Sequence, residues 1–141
     1  MTERLVLPID GSEAAWDALA YAISAYSPRE VHLLYVISGP TNHPYHGDGS
    51  IVEDEVFAAE RRYAEELFET GRDRIDDSAL DVTTAIRFGQ PPHQIVKYAD
   101  EHDCTAIVMG STGRDGAARV LLGSVAETVA RRASVPVTVV R

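Results

Sequence analysis

Apolar and polar positions along this chain follow two rhythms in turn. Short apolar runs, at Arg4 to Ile9, Glu30 to Ile37, Asp81 to Phe88, Thr105 to Met109 and Val135 to Val140, have the length and β-branched content of strands. Between them the apolar residues recur at helical spacing. Trp16, Leu19, Ala20, Ile23 and Tyr26 predict a first helix, with Ser12 placed to cap its start and Pro28 to stop it. From Val52 onward, Val56, Ala59, Tyr63 and Leu67 trace the stripe of a long second helix. Its other face carries Glu53, Asp54, Glu60, Arg61, Glu65 and Glu66 and reads as solvated. A Gly89-Gln90-Pro91-Pro92 turn leads into a short helix with Ile95, Val96 and Ala99, and a last helix carries Val125, Ala126, Val129, Ala130 and Ala133. Pro8 donates no ladder hydrogen bond, so it is expected where the first strand leaves its sheet.

Strand and helix thus alternate from end to end. With right-handed crossovers, the expected product is an α/β fold: one domain over residues 1–141, built on an open, mostly parallel five-stranded sheet with helices on both faces. Such sheets bind ligands beyond the carboxyl ends of their strands, where strand order reverses. The segment 39–50, rich in Gly, Pro, Asn and His, reads as a mobile loop. There is no apolar leader and no apolar run of membrane-spanning length, so a cytoplasmic protein is expected.

Charge narrows the range of partners. A formal net charge of −9 and no basic patch argue against nucleic-acid binding. Lys97 is the one lysine among 13 basic residues. Acidic excess with so little lysine suits a protein kept soluble in concentrated salt, whose melting temperature would climb with molar KCl. The arginine usage of a GC-rich genome is the other reading. The single cysteine, Cys104, cannot form an internal disulfide and is expected to be a buried thiol.

The densest chemistry lies in Gly110-Ser-Thr-Gly113-Arg-Asp-Gly-Ala-Ala-Arg-Val-Leu-Leu-Gly123-Ser124, a glycine-rich loop joining a strand to a helix. The first N–H groups of a helix lack intrahelical partners and carry its positive dipole end, so an anion fits there. Neither the Walker loop nor the dinucleotide fingerprint matches, because no lysine is near and the glycines fall as Gly-x2-Gly-x9-Gly-Ser. Gly110, Gly113 and Gly123 either admit a phosphate or serve turns that need positive φ. Ser124 either caps the helix or offers its hydroxyl to a phosphate, and Ser111 adds a second hydroxyl. Arg119 reads as a phosphate clamp and Arg114 as a surface cation. Asp10, at the end of the first strand, suits a ribose hydroxyl or a nucleotide-bound metal, or else an Asx-turn before Gly11-Ser12. His43 and His46 lack companion metal ligands, and His32, His93 and His102 are scattered.

That glycine pattern resembles the nucleotide loop of the universal stress protein family. The likeness extends over the whole chain, through Leu5-Val6-Leu7-Pro8-Ile9-Asp10-Gly11-Ser12, Leu33-Leu34-Tyr35-Val36, Gly89-Gln90-Pro91 and Val135-Pro136-Val137-Thr138-Val139-Val140. The resemblance implies an adenine nucleotide alpha hydrolase-like sheet of order 3-2-1-4-5, with Asp10 and Gly110 facing one crevice. It implies an ATP, ADP or AMP site formed by Pro8, Ile9, Asp10, Val36, Met109, Gly110, Ser111, Gly113, Arg119, Gly123, Ser124 and Val125, the backbone at Val36 reading the adenine edge. It also implies a homodimer through the last strand, residues 135–140. A divalent cation, Mg2+ or Mn2+, would ride on the phosphates. With no lysine and no water-positioning residue in the loop, the expected role is a nucleotide-dependent switch or sensor in stress response, with at most slow hydrolysis. A slow metal-dependent ATP hydrolase using Asp10 and a nucleotide-free dimeric interaction protein remain as alternatives.

Overall fold

The structure, a computed structural model, describes residues 3–38, 55–76, 79–111 and 122–141. The expected alternation is present in full. In chain order the elements are β1 (Arg4–Pro8), α1 (Glu13–Tyr26), β2 (Glu30–Ile37), α2 (Glu55–Arg74), β3 (Asp81–Phe88), α3 (Pro91–Glu101), β4 (Ala106–Gly110), α4 (Ser124–Arg132) and β5 (Val137–Val140). The strands form one sheet of order β3-β2-β1-β4-β5, with every neighbouring pair parallel. Strand order therefore reverses between β1 and β4.

Side chains alternate across a strand, so each strand supplies two cores. Leu5, Leu7, Val31, Leu33 and Tyr35 face Ala15, Leu19, Phe57, Leu67 and Phe68 of α1 and α2. Val6, Leu34, Ile107 and Met109 face Ile95, Tyr98, Ala126 and Val129 of α3 and α4. Among the described residues no helix is long and apolar enough to cross a membrane.

Local chemistry explains the element ends. Pro8 closes β1, and pairing passes to the Ile9 N–H, which donates to the Leu34 carbonyl at 2.9 Å. Ser12 caps α1, its Oγ accepting from the Ala15 N–H at 3.2 Å, while Ser27 ends the helix at φ 45° just before Pro28. The last strand starts later than its apolar run, because Pro136 offers only its carbonyl, to the Ile107 N–H at 2.9 Å.

Two helices are rotated from the expected facing. In α1 the buried line is Ala15, Ala18, Leu19 and Ala22, with Ala20 exposed; small residues there let the helix lie close to β4. In α2 the buried line runs through Phe57, Ala64, Leu67, Phe68 and Gly71, and Ala59 is exposed. Larger aromatic area outweighs the pattern that would bury Ala59. Glu60, three residues after Phe57 and four before Ala64, thereby turns inward and is half-buried.

Candidate functional site

The carboxyl ends of β1 and β4 separate where strand order reverses, and a cavity of about 540 Å³ opens there. From β1 come Pro8, Ile9 and Asp10; from β4 and its exit come Met109, Gly110 and Ser111. The end of β2 adds Val36, and the start of α4 adds Gly123, Ser124 and Val125. Ten of the twelve residues expected at a nucleotide site thus line one crevice. Gly113 and Arg119 lie outside the described residues, as do Arg114, His43, His46 and the segment 39–50.

Asp10 is held by the turn that follows it. Its Oδ1 accepts from the Ser12 N–H at 2.9 Å, so the Asx-turn and the cavity position coexist. Ser12 in turn caps α1, and one short segment fixes both the carboxylate and the helix start.

Across the crevice, the reason for Gly110 is not positive φ. A Cβ there would sit 2.7 Å from the Ala14 Cβ and 2.8 Å from the Ala14 carbonyl carbon, so only glycine lets β4 end against α1. Gly123, at φ −64° and ψ 157°, is likewise free of left-handed strain. It is the N-cap residue of α4, which places Ser124 inside the helix rather than at the cap. Among the described residues no side chain caps this helix. Ser124, Val125 and Ala126, whose N–H groups lack intrahelical partners, line the cavity. The Gly123 N–H donates to the Ser111 carbonyl at 2.7 Å, and the Ser111 N–H donates to the Val140 carbonyl at 2.9 Å, pinning both ends of the glycine loop. The buried Ser111 belongs to this clasp.

Residues that the sequence pattern did not assign to the site also reach the cavity: Ser12, Ala15, Leu34, Ser38, Glu60, Pro91, Ile95 and Ala126. Glu60 corrects the solvated reading of its helix face. Its Oε2 accepts from the Tyr35 hydroxyl at 2.6 Å, and the carboxylate stands at the cavity wall. Its spacing to Phe57 and Ala64 is the signal that marks it.

A second polar cluster lies at the opposite end of the strands. His32, 4% exposed, contacts Glu30 Oε1 through Nε2 at 2.6 Å and the Tyr98 hydroxyl through Nδ1 at 2.5 Å. Arg4 Nε donates to Glu30 Oε2 at 2.9 Å, and the His102 ring stacks on Tyr98 with centroids 3.9 Å apart. His32 and His102, scattered in sequence, are therefore neighbours in space, while His93 is exposed. Cys104 is buried beside this cluster, and burial pushes its thiol up to about 11, which makes it a poor nucleophile. Among the described residues no three His, Cys, Asp or Glu side chains are grouped to hold a metal ion.

The whole chain, residues 1–141, matches the family model described as the universal stress protein family. Universal stress protein MJ0531 of Methanocaldococcus jannaschii is 30% identical, the match covering 99% of this chain and 82% of that protein. Among solved structures, universal stress protein UspA from Lactobacillus plantarum superposes with a TM-score of 0.82 at 30% identity, over 99% of this chain and 97% of that one. A universal stress protein solved in complex with cAMP superposes with a TM-score of 0.67 at 25% identity, over 99% and 97% of the two chains. A match that spans every element of this 3-2-1-4-5 sheet leaves one assignment: the chain belongs to the universal stress protein family.

Proposed function

We propose that this protein binds ATP or a close adenine nucleotide in the crevice between β1 and β4, and acts as a nucleotide-dependent switch or sensor in stress response. One observation carries the reading: Asp10, Gly110 and the start of α4, which among the described residues has no side-chain cap, converge on a single cavity at the strand-order reversal. The cAMP complex of a relative supports an adenine nucleotide as the ligand class. In this reading the phosphates lie against the N–H groups of Ser124 and Val125, with Ser111, Gly113 and Arg119 of the loop beside them. Asp10 accepts from the ribose, and the β2 end at Val36 meets the base.

Asp10 is the one carboxylate of the expected nucleotide set, too few donors for a metal held by protein alone, so a divalent cation would arrive on the nucleotide's phosphates. The loop carries arginine and no lysine, which suits holding a triphosphate better than cleaving it. Any hydrolysis is expected to be slow. We further propose that β5, at the edge of the sheet, pairs with the same strand of a second copy.

Calorimetric titration of nucleotide-free protein with Mg-ATP tests the binding reading. The expected dissociation constant is on the order of micromolar, weakened about tenfold or more in Gly123→Val. The Gly123 backbone angles suit any residue, so this variant should fold, while its side chain obstructs the phosphate approach. A wild-type protein that binds no nucleotide overturns the proposal and favours the interaction-protein alternative.

A further inference from the structure

Glu60 places a negative charge in the wall of the same cavity that is proposed to take a polyanion, and its location says which part of the ligand it meets. The glycine loop and the start of α4 lie at the end of β4. Glu60 is tied to β2 instead, through the 2.6 Å hydrogen bond from Tyr35 to its Oε2. In the sheet order β2 and β4 are two strands apart, with β1 between them, which separates the two ends of the cavity by about 10 Å. Phosphates held at the β4 end leave the β2 end, with Val36 and Glu60, to the base. A carboxylate at that end also repels phosphate and so fixes the direction in which the ligand lies.

A carboxylate accepts hydrogen bonds and donates none. Tyr35 occupies Oε2 and orients the group, and among the described residues Tyr35 is its one hydrogen-bond partner, so Oε1 is left to accept from the ligand. We infer that Glu60, positioned by Tyr35, selects a 6-aminopurine over a 6-oxopurine. This rests on the nucleotide reading above and adds to it the residue that discriminates between bases. An amino group at position 6 donates to Oε1. A 6-oxo group presents an acceptor to an acceptor, which costs the bond and adds repulsion.

The test is the ratio of affinities for ATP and ITP, which differ at this end of the base, measured by calorimetry in wild type, Glu60→Gln and Tyr35→Phe. Wild type should prefer ATP by about tenfold or more. In Glu60→Gln the amide both donates and accepts, so the ratio should fall toward unity with ITP binding regained. Tyr35→Phe, which keeps the buried ring, should give an intermediate ratio by releasing Oε2. A Glu60→Gln protein that still binds ATP and keeps the full preference overturns the inference and leaves nucleotide binding standing. Equal weakening of ATP and ITP, with the difference between ATP and 2′-deoxy-ATP abolished, places Glu60 on the ribose and also overturns it. Absence of all nucleotide binding by wild type removes both readings together.

Discussion

Gly110 shows how one residue's size sets the site. It stands at the end of β4, where a Cβ would press on the Ala14 Cβ at 2.7 Å and on the Ala14 carbonyl carbon and oxygen at 2.8 and 2.9 Å. Because two of those atoms are backbone, no rotamer change relieves the overlap. Gly110→Ala should therefore destabilise the protein by about 1–3 kcal/mol, read from urea unfolding, and Ala14→Gly in the same chain should restore only part of it. An unchanged midpoint would show that α1 shifts freely. The sequence marks Gly110 as special by its place in the loop, yet offers two reasons, phosphate access and positive φ, and the contact with α1 is a third. Asp10 was legible for the opposite reason. A carboxylate ending an apolar strand before Gly11-Ser12 announces a turn, and that turn aims it into the crevice. Glu60 was hidden, since a glutamate amid nine other charged residues of α2 looks solvated until the facing of the helix is known.

At the scale of elements, five apolar runs and three turn or cap signals suffice to lay out β1 to β5 and the starts of α1 and α3. Helix facing is less readable, because α2 offers two overlapping stripes and aromatic burial decides between them. The polar anchor between β2 and α3 was unreadable, as Tyr98 lies 66 residues along the chain from His32. Its hydrogen bonds are all satisfied by a neutral His32 that donates from Nε2 to Glu30 and accepts at Nδ1 from Tyr98. Burial holds the His32 ring below its ordinary value of 6.5, outweighing the opposing pull of Glu30. Burial alone would raise Glu30, but hydrogen bonds from His32 and Arg4 bring it below 4.5. In both cases the unfolded chain binds its proton at higher pH than the folded one. Stability should thus be level between about pH 6.5 and pH 8, fall below that as the unfolded chain takes up the His32 proton that burial resists, and fall again below about pH 4.5 as Glu30 protonates. The His32 slope cannot exceed about 1.4 kcal/mol per pH unit, the value for one proton. Urea midpoints between pH 8 and 5 test this, and His32→Gln should flatten the first decline. A wild-type curve already flat from pH 8 to 5 would mean that His32 takes up its proton without disturbing α3.

For the whole molecule, the open question is what meets the free edge of β5, and the ladder says which groups are available. Ile107 N–H donates to Pro136 and Ser111 N–H to Val140, each at 2.9 Å, so residues 136, 138 and 140 turn their backbone toward β4. Val137 and Val139 turn theirs outward, at the edge where a second β5 is proposed to pair. Proline is tolerated at an outward edge position, since no bond within the chain is lost. Val139→Pro should therefore fold with a melting temperature close to wild type yet run as a monomer in light scattering, where wild type is expected to run as a dimer at micromolar concentration. Each copy carries a formal charge of −9, and two such chains repel over a distance that salt shortens to about 3 Å at 1 M. Raising KCl should accordingly tighten the wild-type dimer, leave Val139→Pro monomeric, and separate pairing by backbone at β5 from association through charged helix faces, which salt would weaken. A wild-type monomer at every salt concentration would remove the proposed pairing and leave the proposed nucleotide site, whose described residues all belong to one chain, untouched.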